Sequence, residues 1–389
     1  MLEKEKILSF YSMIKICQKL KQPSGYTASI PCSFPVKGMF DIPQELLSKA
    51  IQAERTVGKL DGIIQILPNI NFFLKMYSLK DASSSAQIEG TKATMADAIE
   101  LEAGIDGRET DAQDILFYTK ALDYGIQRIQ EFPISLRFIR ELHGILMKGA
   151  RSTHFSDPGE FRKTQNWLGG TSLANASFVP PPAENMKDAL HDFENFLYND
   201  NIVFPIVHIA YAHAQFETIH PFLDGNGRTG RLLITFLLYK KGLLEKPVLF
   251  LASFFKKHQQ LYYQKLHDYH EGDVLSWLDF FLEGVIETAN SSIEVSKKIR
   301  AIRDADMEKI QALAKRESES GVLVLSRLYK TPIVTTKIIM NWTGFTRSGS
   351  QRLIDRFIDL NILKMEDQED AYDRKYIYEN YIRAFIDEE

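Results

Sequence analysis

The chain has 389 residues, 44% hydrophobic and 25% charged, with a formal net charge of -4. That composition supports two or three domains with cores of their own, and the acidic balance excludes a broad polyanion-binding surface while leaving local phosphate sites open. Cys17 and Cys32 offer neither a disulfide framework nor metal-ligand spacing, so a reducing, cytoplasmic compartment is expected.

In chain order, Glu3, Lys4, Glu5, Lys6 and Lys15 break up the apolar positions of residues 1–20, so neither a signal peptide nor a membrane contact is expected. From Ile42 to Met95, apolar residues such as Leu46, Ala50, Val57, Leu60 and Ile64 recur at helical spacing around an interruption at Pro68. The pattern predicts a helical N-terminal unit. Near its end, Ser85 and Glu89 stand one helical turn apart, and by itself Glu89 reads as part of a solvated face.

Helical spacing resumes from Asp111 to about Asn290, as in Ile115, Tyr118, Leu122 and Ile126. Between Trp167 and Pro182, Gly169, Gly170 and three prolines punctuate short apolar runs, which predicts a small hairpin or flap beside an otherwise helical site. His208 and His213 are five apart, off the face that a helical metal pair needs, and read as core or surface residues. His143 and His154 have no partner visible in the sequence.

The segment from His220 to Arg231 is the most informative. Gly225 and Gly227 flank Asn226 at the start of a strongly helical run, a place where free N–H groups and the helix dipole favour an anion. Arg228 and Arg231 are three apart and are expected to grip successive phosphates. Asp224 supplies a hard oxygen ligand for Mg²⁺, and His220 is the residue suited to proton abstraction near neutrality. Gly225 to Gly230 also matches G-x-G-x-x-G, but the preceding residues 206–218 read as helix rather than strand, which argues against a dinucleotide fold.

Past Lys297, two short helical patterns, Thr331 to Gly344 and Thr346 to Leu360, meet at a turn, and an acidic turn from Glu366 to Asp370 separates two extended stretches. This is the arithmetic of a winged helix. Arg347, Arg352 and Arg356 lie along the second helix, yet acidic residues slightly outnumber basic ones over 301–389. A partner-docking or dimerising role is therefore expected in preference to DNA binding.

His220 to Arg231 resembles the signature of the Fic family, H-x-F-x-D/E-G-N-G-R-x-x-R, complete at every fixed position. The segments 158–162, 167–182, 262–263 and 271–273 are similar to those flanking that signature, and Ser85 to Gly90 resembles the family's inhibitory motif, S/T-x-x-x-E-G/N. The resemblance implies an all-α fold: an accessory domain over 1–110, a Fic-type helical core with a β-hairpin flap over 111–297, and a winged-helix domain over 298–389. It also implies transfer of AMP from Mg·ATP to a Tyr, Ser or Thr hydroxyl of a target protein or of the chain itself, and it allows a homodimer.

By the same resemblance His220 is the catalytic base and Asp224 the Mg²⁺ ligand. The nucleotide is held by Gly225, Asn226, Gly227, Arg228, Thr229, Gly230, Arg231 and Tyr263, while Glu89, supported by Ser85, inhibits by pairing with Arg231. At His270 relatives often carry an Asn near the nucleotide, so that contact departs from the family. Removal of AMP, another nucleotidyl transfer, and a nucleotide-sensing DNA-binding regulator are the competing expectations.

Overall fold

A computed structural model describes residues 14–65, 70–105, 111–148, 157–199, 204–366 and 374–386. His154, Pro68 and residues 367–370 of the expected acidic turn lie outside the described residues.

The first elements are two antiparallel strands, β1 (Cys17–Lys21) and β2 (Thr27–Pro31), with Cys17 opposite Pro31 and Lys21 opposite Thr27. No strand is expected here from sequence, and the reason is physical: β1 is almost wholly exposed, so it carries no alternating apolar signal. Three helices follow: α1 (Gln44–Gln65), α2 (Ile70–Ile88) and α3 (Met95–Glu102). Helix α3 opens on a capping box between Thr94 and Asp97. Helices α4 (Ala112–Glu131) and α5 (Leu136–Leu146) come next, then the flap, α6 (Ala183–Leu197), α7 (Pro205–Ile219), α8 (Asn226–Lys240), α9 (Ala252–Lys257) and α10 (Gln259–His270). The expected flap hairpin is reduced to a single bridge between Leu168 and Phe178. It joins the N-terminal hairpin through the Ser29 amide, which donates to the Val179 carbonyl at 2.8 Å.

Helix α7 is buried on every side from Ile206 to Ile219, the mark of a central helix. Helices α1, α6, α8 and α10 pack around it, as does α11 (Val274–Gln311). His208 and His213 are core residues of this centre: His208 Nε2 donates to the Phe196 carbonyl at 2.9 Å, and His213 bonds both the Gly230 carbonyl and the Tyr262 hydroxyl. Helix α8 is almost as buried as α7. The loop between them is therefore held at both ends by the most rigid part of the molecule.

Helix α11 spans 38 residues and runs unbroken through 297 and 298, where the sequence divides the chain. Beyond it lie α12 (Lys315–Leu328), β3 (Ile333–Thr335), α13 (Thr336–Thr343), α14 (Arg347–Asp359), β4 (Lys364–Met365), β5 (Lys375–Ile377) and α15 (Glu379–Ile386). Gly344, at φ 71°, turns α13 into α14. Strand β5 sits between β3 and β4, antiparallel to both.

Candidate active site

Helix α7 ends at His220 in the left-handed conformation, φ 48° and ψ 62°. A β-carbon there costs roughly 1–2 kcal/mol, so the turn needs outside support. Arg162 and Asn166 supply it. The guanidinium of Arg162 donates through Nε to the His220 carbonyl at 2.9 Å and reaches the carbonyls of Pro181 at 2.5 Å and Ile219 at 3.4 Å. Asn166 Nδ2 donates to the Phe222 carbonyl at 2.9 Å. Burial pushes the Arg162 guanidinium down to about 10, so it carries its charge near neutrality.

Asn226 closes the turn from within, accepting from the Phe222 amide and donating to the Phe222 carbonyl, both at 2.8 Å. The Phe222 ring is fully buried and stacks on His143 with centroids 3.7 Å apart. His143 Nδ1 accepts from the Gly159 amide at 2.9 Å, so Nε2 carries the proton and donates to the Asp224 carbonyl at 2.9 Å. Burial lowers this histidine to about 4 and keeps it neutral in that role. Gly225 stands at φ 77°, and a β-carbon there would press on Met147 Sδ and the His143 ring. Only glycine fits.

Asp224 Oδ1 accepts from the Gly225 amide at 2.7 Å, while its other oxygen lies 3.6 Å from Arg228 and the carboxyl group stays open to solvent. Helix α8 begins at once with no side-chain cap on its first turn. That leaves an anion site at the helix N-terminus, facing the cleft.

Arg231, buried, donates through Nε to Ser85 Oγ at 2.8 Å and through one terminal nitrogen to Glu89 Oε1 at 2.6 Å. Burial works against the charge on Arg231, but Glu89 together with the neighbouring Tyr262 and Tyr118 outweighs it, and the guanidinium is held above its ordinary range. The Glu89 carboxylate lies against Gly227, where a β-carbon would overlap Oε1. It therefore sits over the first turn of α8.

These groups line a cleft of about 540 Å³, into which open His220, Asp224, Gly225, Asn226, Gly227, Arg231, Tyr263 and Glu89. Arg228, Thr229 and Gly230 do not. Arg228 turns away to Met147 Sδ at 3.3 Å and Asp114 at 3.9 Å, because one edge of α8 faces α4 and the other faces the cleft. The two arginines do not share a face as the spacing suggests. The Thr229 hydroxyl donates back to the Gly225 carbonyl at 2.8 Å, and Gly230 meets Glu217 and Phe216. Ser85 is buried behind Arg231 rather than in the cleft. The Tyr263 hydroxyl donates to the Ile88 carbonyl at 3.4 Å, and its half-exposed ring forms one wall. His270 also lines the cleft, stacked on Phe178 at 3.8 Å with neither ring nitrogen hydrogen-bonded.

Three supporting residues go unmarked in sequence. His143 is distant and lone, and Arg162 is noticed only as part of a flanking segment. Glu217 carries the one local signal, since its i,i+3 spacing from His220 puts both on one side of α7.

Residues 133–238 match the Fic/DOC family and residues 47–127 match the Fic/DOC family N-terminal region. The chain is 31% identical over 249 residues to the protein adenylyltransferase Fic of Drosophila grimshawi, an alignment covering 61% of this chain and 46% of the relative. It is 28% identical over 261 residues to the protein of the same name from Drosophila willistoni, covering 64% and 49%. The chain thus spans about half the length of the curated relatives it matches. Among solved structures, a Fic family protein from Desulfovibrio desulfuricans superposes with a TM-score of 0.56 at 17% identity, covering 86% of this chain and 96% of that one. A Bacteroides thetaiotaomicron signaling protein containing a Fic domain gives 0.51 at 22% identity, covering 62% and 97%. At those identities the likeness is one of fold.

Proposed function

Residues 133–238 carry the Fic/DOC domain and residues 47–127 its N-terminal region, and from that premise we propose that the protein transfers AMP from Mg·ATP to a protein hydroxyl while its own helix α2 holds the activity down. The observation that carries this reading is the convergence of His220, Asp224 and the uncapped first turn of α8 on one cleft. His220 takes the proton of the incoming hydroxyl, whose oxygen bonds to the α-phosphorus as the bond to pyrophosphate breaks. Backbone N–H groups at Asn226 and Gly227 receive the phosphate charge, and Tyr263 offers its ring to the base.

Asp224 fits Mg²⁺: it is a solvent-open carboxylate facing the cleft, oriented by the Gly225 amide and by Arg228. No cluster of three or more His, Cys, Asp or Glu able to hold a metal exists among the described residues, which suits a cation that takes most of its ligands from phosphates and water. When bound, the cation would neutralise charge on the phosphates.

Inhibition follows from one contact. Glu89 occupies Arg231 and brings a negative carboxylate over the anion site, so a terminal phosphate meets repulsion in place of a cation. Misalignment of this kind costs a hundredfold or more in rate, about 3 kcal/mol. The C-terminal helix pair and three-stranded sheet are read as a winged-helix module for protein docking, supported by the charge balance of residues 301–389.

The test is incubation with α-labelled ATP and cell lysate. Glu89→Gly should raise labelling, His220→Ala should abolish it while sparing ATP binding, and Arg231→Ala should cancel the gain from Glu89→Gly. No labelling by Glu89→Gly sinks the transferase reading; equal activation in an Arg231→Ala background sinks the inhibitory one. Salt-dependent binding of duplex DNA without label transfer would favour a regulator.

A further inference from the structure

Glu217 stands one turn before His220 on α7 and is claimed by neither sequence motif. It is buried, its Oε1 has no hydrogen-bond partner, and its Oε2 faces His220 Nδ1 at 3.6 Å. That nitrogen is itself buried without a partner. Two complementary buried groups left unpaired cost stability, and such a cost beside a cleft calls for an explanation in use. With Nδ1 walled off, the nitrogen of His220 able to meet a hydroxyl in the cleft is Nε2.

Space for the carboxylate comes from α8. A β-carbon on Gly230 would stand 2.5 Å from Glu217 Oε1 and 3.1 Å from the Phe216 ring. Burial raises the Glu217 carboxyl, but the rings of His220 and His213 and the Arg231 guanidinium lower it by more, so it is ionised. Arg231 meanwhile spends its Nε and one terminal nitrogen on Ser85 and Glu89.

We propose that Glu217 is the positioning carboxylate of His220, fixing the ring with its proton on Nδ1 and Nε2 free as the base, and that Gly230 is the residue that makes room for it. The proton balance is simple. A proton passes from the target hydroxyl to Nε2, the ring becomes an imidazolium, and Glu217 remains ionised beside it. At 3.6 Å the resting pair is longer than a hydrogen bond, and it tightens when the ring gains charge. The third member of a nucleophilic triad acts by the same logic.

The kinetic arm rests on the transferase reading; the spectroscopic arm does not. In the full chain carrying Glu89→Gly, ring ¹⁵N shifts of His220, assigned by their loss in His220→Gln, should report the Nδ1-protonated tautomer. Glu217→Ala should abolish that preference and lower transfer from α-labelled ATP about a hundredfold or more, with Mg·ATP affinity changed by less than about twofold. Glu217→Asp should restore most of the rate, and Gly230→Ala, which leaves both groups present but crowds the carboxylate, should follow Glu217→Ala in both readouts. An unchanged tautomer in Glu217→Ala, or equal losses of rate and ATP affinity, overturns the assignment. If Glu89→Gly transfers no label at all, the transferase reading fails and the tautomer alone decides the role of Glu217.

Discussion

At Arg162 a guanidinium is buried against backbone carbonyls alone, four of them, contributed by Thr164, Pro181, Ile219 and His220. One side chain thereby joins the base of the flap to the end of the helix that presents His220. Removing it leaves several buried carbonyls unsatisfied and the left-handed turn unbraced. Arg162→Ala should lower unfolding free energy by about 3 kcal/mol in urea titrations, and a loss under about 1 kcal/mol would show that water replaces the brace. Residue by residue, the site is a set of such fixtures: His143 for Asp224, Asn226 for Phe222, Glu89 for Arg231.

Helix α2 is the element on which the proposed inhibition depends, and its docking is polar along one face. Asp81 and Ser85 are four residues apart and share that face, and Glu89 follows in the turn that ends the helix. Asp81 accepts from the Tyr118 hydroxyl at 2.7 Å and from the Ala252 amide at 2.9 Å, Ser85 takes Arg231, and Gln259 of α10 caps the Ile88 carbonyl at 3.0 Å. Burial pushes the Asp81 carboxyl up to about 6, against those hydrogen bonds and the charge of Arg231. The native state therefore holds a proton that the unfolded chain gives up near pH 4, and the stability this contributes is present below that pH and lost as pH rises through about 6. Unfolding free energies of wild type and Asp81→Asn, measured in urea from pH 4 to 7, should draw apart by about 2–3 kcal/mol, wild type losing ground as pH rises. His143, held near 4, loses stability in the opposite direction over this window, but it is common to both proteins and cancels in the difference. A flat difference would assign the buried proton elsewhere.

Across the whole molecule, the C-terminal unit is seated on α2 and α3. Phe385 of α15 is fully buried and meets Tyr77 edge-on at 5.3 Å, and Lys375 pairs with Glu100 at 2.6 Å. The Tyr378 hydroxyl donates to Asp306 of α11 at 2.6 Å, closing the same junction from the other side. The junction is packed like a core rather than a linker. Phe385→Ala should cost about 3–5 kcal/mol in a single cooperative unfolding transition; a separate early transition of the C-terminal unit would show instead that the two parts unfold independently.

The sequence by itself determined the make-up of the candidate site, because the loop from His220 to Arg231 is local: its residues are neighbours in the chain, and a glycine turn opening a helix brings His220, Asp224 and the first N–H groups together whatever surrounds them. Helical periodicity likewise marked the long amphipathic helices such as α1. Only the tertiary structure decided which arginine faces the cleft, since that depends on what packs against each edge of α8, and spacing along one helix says nothing of its neighbours. The pairing of Glu89 with Arg231, first implied by resemblance, is in the structure a direct contact between residues 142 apart in the chain. The supports of the site, Arg162, His143 and Glu217, and the strands β1 and β2 stayed invisible for one reason: a buried polar residue or an exposed strand has no periodic signature, and its meaning is supplied by partners that only folding brings near.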